Sequence, residues 1–162
     1  MPFAFTFFED LLAYSDRDRD QWLAWFRTQG EAALAAGLGE HNTGRIRTVG
    51  ELVRHIFSAE KRYVQRSLQV PLMDTSVIPA TNVEALFAFG RESRRDLREL
   101  LATFPEAEWD APREMTFDNQ TRTVTSRTMI LQAITHELRH WAQVATFLRQ
   151  AGYHPGCHDV IC

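Results

Sequence analysis

Lysine is almost missing from this chain: Lys61 stands alone among 18 basic residues, and the rest are arginine. Such a bias reads as the mark of a GC-rich genome rather than of an arginine-specific task. Cysteine is scarce as well, with only Cys157 and Cys162, both near the C-terminus. Two cysteines that close together do not make a disulfide framework, so a reducing cytosol and a cytoplasmic protein are expected. No long apolar run occurs, and Glu9 and Asp10 interrupt the Phe-rich N-terminal stretch, so neither a signal peptide nor a membrane span is expected. Charge of one sign is also lacking: 18 basic against 21 acidic residues leave a formal net charge of −3, which gives no reason to expect a nucleic-acid partner. Gly-rich phosphate loops, a Ser/His/Asp order, internal repeats and low-complexity stretches are all absent. What remains is 162 residues with 44% hydrophobic content, enough for a single domain over residues 1–162 with a sizeable core.

Helical periodicity places four segments. The first runs from about Thr6 to the mid-thirties, with Phe8, Leu11, Leu12, Trp22, Trp25 and Phe26 at helical spacing. Its aromatics are expected in the core rather than on a ligand-stacking surface. Asp16-Arg17-Asp18-Arg19-Asp20 interrupts them and predicts a kink or an exposed turn. Gly37-Leu38-Gly39 ends the segment, and His41 falls in the following loop, expected to face solvent. The second helix opens at Thr48, where Thr48-Val49-Gly50-Glu51 reads as a capping box, and stops before Pro71. The third opens on Thr81-Asn82-Val83-Glu84, read the same way, and runs to Thr103 before Pro105. Residues Glu114 to Thr125 carry Thr, Val and Phe around Asp118-Asn119, which suggests a short hairpin or an extended loop. The fourth helix starts near Ser126 and ends near Ala151, with Gly152 placed to take the left-handed cap. The expectation is an all-α four-helix bundle with a short irregular or hairpin segment before the last helix.

The last helix carries His136-Glu137-Leu138-Arg139-His140. Histidines four residues apart share one helix face, so both imidazoles can reach one metal ion. The letters match H-E-x-x-H, where the glutamate acts as general base beside a zinc-bound water, and Glu137 is therefore the candidate catalytic residue. On a helical projection, Ile130, Ile134, Trp141, Val144 and Leu148 form the middle of a wide apolar arc. Gln132, Arg139, Thr146 and Gln150 lie opposite. His136 and His140 sit at the edge of the arc with Met129, Ala133 and Phe147. Glu137 falls near its centre, where a carboxylate needs a metal, a cation or hydrogen-bond donors.

A His pair holds metal weakly, and a catalytic zinc commonly has three protein ligands and an open position. The downstream extension H-x-x-G-x-x-H is missing, because Gln143 and Thr146 occupy its glycine and histidine positions, and no glutamate follows Glu137. Upstream, His55 stands at the edge of the apolar stripe of the second helix (Leu52, Val53, Ile56, Val64) and is placed to complete a three-His site. Glu60 and Gln143 are candidates for orienting imidazoles. Glu51 and Arg62 flank His55 and are expected to pair on the helix surface. His154, Cys157, His158 and Cys162 crowd the tail and offer donors for a separate soft-metal site, at a spacing that matches no standard zinc module.

Glu51-Leu52-Val53-Arg54-His55, then His136-Glu137-Leu138-Arg139-His140-Trp141-Ala142-Gln143 and Leu148-Arg149-Gln150-Ala151-Gly152, together resemble the DinB-like family, also called YfiT-like. The resemblance covers essentially the whole chain. It implies a four-helix bundle, often dimeric, with a divalent metal on His55, His136 and His140. Some members are thiol-dependent S-transferases or isomerases that use low-molecular-weight thiols. Many members carry arginine directly after the last histidine, where this chain has Trp141. The resulting expectation is a metal-dependent enzyme of the thiol S-transferase or hydrolase class, with zinc or nickel as cofactor. Its partners would be a small-molecule substrate such as a low-molecular-weight thiol, and a second copy of the chain. The alternatives are a non-catalytic metal-binding stress-response module and an H-E-x-x-H zinc peptidase.

Overall fold

The computed structural model describes residues 3–39, 44–117 and 119–158; His41 therefore lies outside the described residues. The order is α1 (Phe3–Gln29), a single turn α2 (Glu31–Leu34), α3 (Val49–Leu68), α4 (Val83–Thr103), the strands β1 (Arg113–Phe117) and β2 (Gln120–Val124), and α5 (Ser126–Gln150). Four long helices carry the fold, and the strands form one antiparallel hairpin that pairs Arg113 with Val124 and Phe117 with Gln120. Its turn uses Asn119 at φ 64°, a left-handed conformation that asparagine tolerates better than most residues. Among the described residues, no helix is long and apolar enough to cross a membrane.

The helix ends follow local chemistry. Thr48 and Glu51 form the expected capping box on α3, with Thr48 Oγ1 accepting from the Glu51 amide at 3.2 Å. On α4 the expected box is replaced by a simpler cap: Asn82 Oδ1 accepts from the Ala85 amide at 2.8 Å, and Glu84 instead pairs with Arg27 at 2.5 Å. A box not foreseen in the sequence opens α5, where Thr125 and Thr128 bond each other's backbone N–H. Gly152 takes φ 86° just beyond α5, as expected. The first helix ends earlier than expected. Gly30, at φ 74°, breaks it, and α2 supplies the remaining turn.

The exposed turn expected at residues 16–20 does not occur, and α1 is helical throughout that stretch. Arg17 and Asp20 face outward, whereas Asp18 and Arg19 are buried with partners from elsewhere in the bundle. Arg19 is one of four charged residues, one per long helix, that meet in the interior. Its Nε and Nη2 donate to Glu137 of α5 at 2.6 and 2.8 Å, and its Nη1 and Nη2 donate to Glu60 of α3 at 3.1 and 2.9 Å. Arg94 of α4 donates to Glu60 at 3.1 Å, Glu137 at 2.8 Å, Ser15 at 2.9 Å and Asp16 at 2.6 Å. Gly90 lets this layer close. Its carbonyl accepts from Arg19 at 3.0 Å, and a Cβ there would stand 2.8 Å from the Phe57 ring.

The charged layer divides the core in two. Trp22, Phe57, Phe87 and Trp141 belong to one apolar cluster, and Leu12, Val64, Leu97 and Ile134 to the other. Along each helix, the charged residue lies between members of the two clusters. The order of crossing sets the direction of the helices: α1 and α5 pass from the second cluster to the first, α3 and α4 from the first to the second. The bundle is therefore up-down-down-up, and the segment between Leu68 and Val83 makes the crossover between the like-directed α3 and α4.

Candidate metal centre

One edge of the α5 apolar face meets α3, and there three imidazoles converge. His136 Nε2 stands 3.1 Å from His55 Nε2 and 3.0 Å from His140 Nε2. Among the described residues, these three form the group whose side chains could hold a metal ion, their ligand atoms all lying within 4.8 Å of one another. The spacing suits that task. Zn–N bonds of about 2.0–2.1 Å at tetrahedral angles put ligand nitrogens ~3.3 Å apart. Three convergent ring nitrogens with no hydrogen to share fully among them are a poor arrangement without a cation and a good one with it. Imidazole donors suit zinc, nickel, copper and iron alike.

Protonation favours the same use. Burial pushes His55 down to about 4, with His140 and Arg62 adding to the effect. Burial also pushes His136 down to about 4, reinforced by His140, His55 and Arg139 and opposed by Glu137. His140 is lowered by burial; its hydrogen bond to Gln143 opposes that shift and Arg139 adds to it. All three rings are neutral at neutral pH, the form that ligates. Gln143 Oε1 lies 2.5 Å from His140 Nδ1, so Nδ1–H donates to the amide and leaves the ε lone pair facing the site. The Nδ1 of His136 is buried and finds no such partner among the described residues.

Glu137 turns away from this cluster. Its Oε1 accepts from Arg19 and from Trp141 Nε1 at 3.2 Å, its Oε2 from Arg19 and Arg94, and 1% of the residue is exposed. Burial alone would raise its pKa, but the Arg19 guanidinium beside it holds the carboxyl well below the ordinary carboxylate range. The cation that its position in the apolar arc demands is thus a pair of arginines. A carboxylate with both oxygens so engaged is poorly disposed to act as a base on a substrate at the histidines.

Several expectations from the sequence need correction. Glu60 orients no imidazole; both its oxygens are taken by Arg19 and Arg94, and Gln143 alone of the two candidates serves a histidine. Glu51 and Arg62 do not pair, because Glu51 folds back onto the amides of Arg47 and Thr48 while Arg62 donates to Thr75 Oγ1 at 3.4 Å. The tail forms no metal cluster among the described residues, since it is strapped along α1 with its groups engaged separately. His158 Nδ1 donates to Asp18 at 2.6 Å and its ring stacks on Trp22 at 4.0 Å, while the His154 carbonyl accepts from Trp25. Cys157 is half of a disulfide, contrary to the free thiols expected of a reducing setting, and Cys162 lies outside the described residues. Sequence reasoning missed Arg19 and Arg94. The available signal was a single charged residue inside the apolar stripe of each helix, Arg94 between Gly90 and Leu97 and Glu60 between Phe57 and Val64.

The architecture and the histidine cluster define a class: an up-down-down-up helix bundle with three inward imidazoles on neighbouring helices. The chain belongs to the DinB family, whose sequence profile matches residues 3–161. It also resembles in fold a DinB-like protein, YjoA, from Bacillus subtilis, whose crystal structure aligns with a TM-score of 0.50 at 16% identity, over 93% of this chain and 98% of that one. No curated protein matches the chain.

Proposed function

We propose that this protein is a divalent-metal-dependent enzyme of the thiol S-transferase or hydrolase class, with His55, His136 and His140 as ligands. The observation that carries this is the convergence of three neutral imidazoles beside a cavity of about 550 Å³ that His140 and Gln143 help to line. Zinc or nickel held by three neutral donors would retain its positive charge and supply Lewis-acid chemistry, lowering the pKa of a water or thiol brought to it. The chain's own groups prepare the site. Burial keeps the rings unprotonated, Gln143 selects the His140 tautomer, and Leu52 and Phe147 keep the cavity beside them apolar.

The peptidase alternative loses support from the capture of Glu137 by Arg19 and Arg94. Metal analysis of protein purified without an affinity tag is expected to give about one divalent ion per chain, as a single three-ligand site requires. A His136→Ala variant with undiminished metal content would refute the assignment. Metal-dependent transfer of a low-molecular-weight thiol to an electrophile would support the enzymatic reading, and its absence with a fully loaded site would favour a non-catalytic binding module.

A homodimer belongs to the same proposal, supported by the exposed apolar stretch of Leu68, Val70 and Leu72. Light scattering that gives a monomer mass would remove it. Cytoplasmic residence is proposed too, and the disulfide at Cys157 stands against it. Thiol titration of protein trapped at lysis decides between them.

A further inference from the structure

The cavity beside the histidines has one cation among its walls and no carboxylate among the described residues that line it. Leu38, Leu52 and Phe147 supply apolar surface, His140 and Gln143 occupy one side, and Arg45 projects from the loop that precedes α3. Arg45 forms no ion pair or hydrogen bond among the described residues, unlike Arg19, Arg27, Arg94 or Arg127, each of which has a carboxylate partner. The surroundings add to its charge. Arg62 bears on His55 and Arg139 on His136, and Glu137, the acid that acts on His136, is already neutralised by two buried guanidiniums. A concave site with apolar walls and a positive field concentrates small anions that also carry apolar surface.

The geometry points to a small amphiphilic carboxylate as the substrate class, with Arg45 as the residue that binds its anionic end. Arg45 offers a planar fork that matches a carboxylate with two parallel N–H donors. Leu38, Leu52 and Phe147 cover the apolar body, and the far end of such a molecule then lies toward His140. This deepens the proposed function by naming what the cavity selects, and it depends on that reading only for what happens at the far end. Arg45 is a binding residue here and takes no part in bond making.

The test separates the two proposals by using protein stripped of metal with a chelator. Calorimetric titration with hydrocinnamate and with its neutral amide, hydrocinnamamide, measures what the charge contributes. The acid is expected to bind about tenfold or more tightly than the amide, the gain typical of a hydrogen bond to a charged group. Arg45→Gln should abolish that preference. His136→Ala, which damages the histidine cluster and lies outside the cavity lining, should keep it. Equal binding of acid and amide by the wild-type chain would overturn the inference, as would a preference that survives Arg45→Gln. So would a preference seen only after zinc is added, because the carboxylate would then be reading the ion. Failure of zinc to bind at all would sink the metal assignment and leave the acid–amide comparison readable.

Discussion

His136 and Glu137 are neighbours in sequence and belong to different parts of the molecule. Glu137 enters a closed layer of alternating charges in which two arginines and two glutamates, one from each long helix, satisfy one another away from water. His136 enters a cluster of like, neutral rings whose nitrogens face each other with too few hydrogens and too few partners. The charged layer is complete in the protein alone. The histidine cluster is not complete in that way, and its three rings could hold a metal ion. Such a difference is what separates a structural device from a binding site: a finished network holds the helices in register, and an unfinished one is available for a ligand.

The largest expected effect comes from breaking the finished region. Arg94→Met leaves Glu60 and Glu137 with one buried cation between them and should lower unfolding stability by about 3–5 kcal/mol, read by urea denaturation of metal-free protein. Unchanged stability would mean that water reaches the layer. Replacing all four charges together with apolar side chains of similar volume should recover most of that loss, since each single deletion mainly strands its partners.

The histidine cluster should behave in the opposite way. His55→Ala is expected to cost the metal-free protein little, because it removes a part-buried contact with His136 between neutral rings and strands no charge. Zinc at a hundredfold excess over its dissociation constant should stabilise the wild-type chain by about 2.7 kcal/mol and leave His55→Ala nearly unmoved. A large destabilisation of metal-free His55→Ala would show that the rings are packing residues, and the contrast between the two regions would fail.

Gln143→Ala is a finer probe. It removes the group that fixes the His140 tautomer and should weaken zinc affinity by about 10- to 100-fold while leaving thermal stability of metal-free protein close to wild type. Equal losses of both would make Gln143 a general support of α5. The smallest effect is expected at the start of α5, the helix that serves both regions. Thr125→Ala should cost about 1 kcal/mol through loss of the cap and should not alter the zinc stoichiometry.

Much of this was legible along the chain. Apolar periodicity and capping residues located the four long helices, since those signals act within a few residues of each other. The i, i+4 spacing of His136 and His140 put both rings on one face for the same local reason, and the apolar neighbours of His55 put it at the edge of its helix. The errors lie where a side chain had two possible partners at a distance. Glu60 was expected to orient an imidazole, whereas its partners are Arg19 and Arg94. Asp18 and Arg19 looked like solvent-facing breakers of α1 because their partners, His158 on one side and Glu60 and Glu137 on the other, stand 41 to 140 residues away.

By itself, the sequence determined the four long helices, the burial of Glu137 and the need of that carboxylate for a partner, because periodicity and desolvation are properties of one segment at a time. Only the tertiary structure decided that Arg19 and Arg94 meet that need, that His55 reaches His136 across to α5, and that Arg45 is left facing an apolar cavity. Those outcomes depend on the direction and order in which four helices pack, and no single helix carries that information.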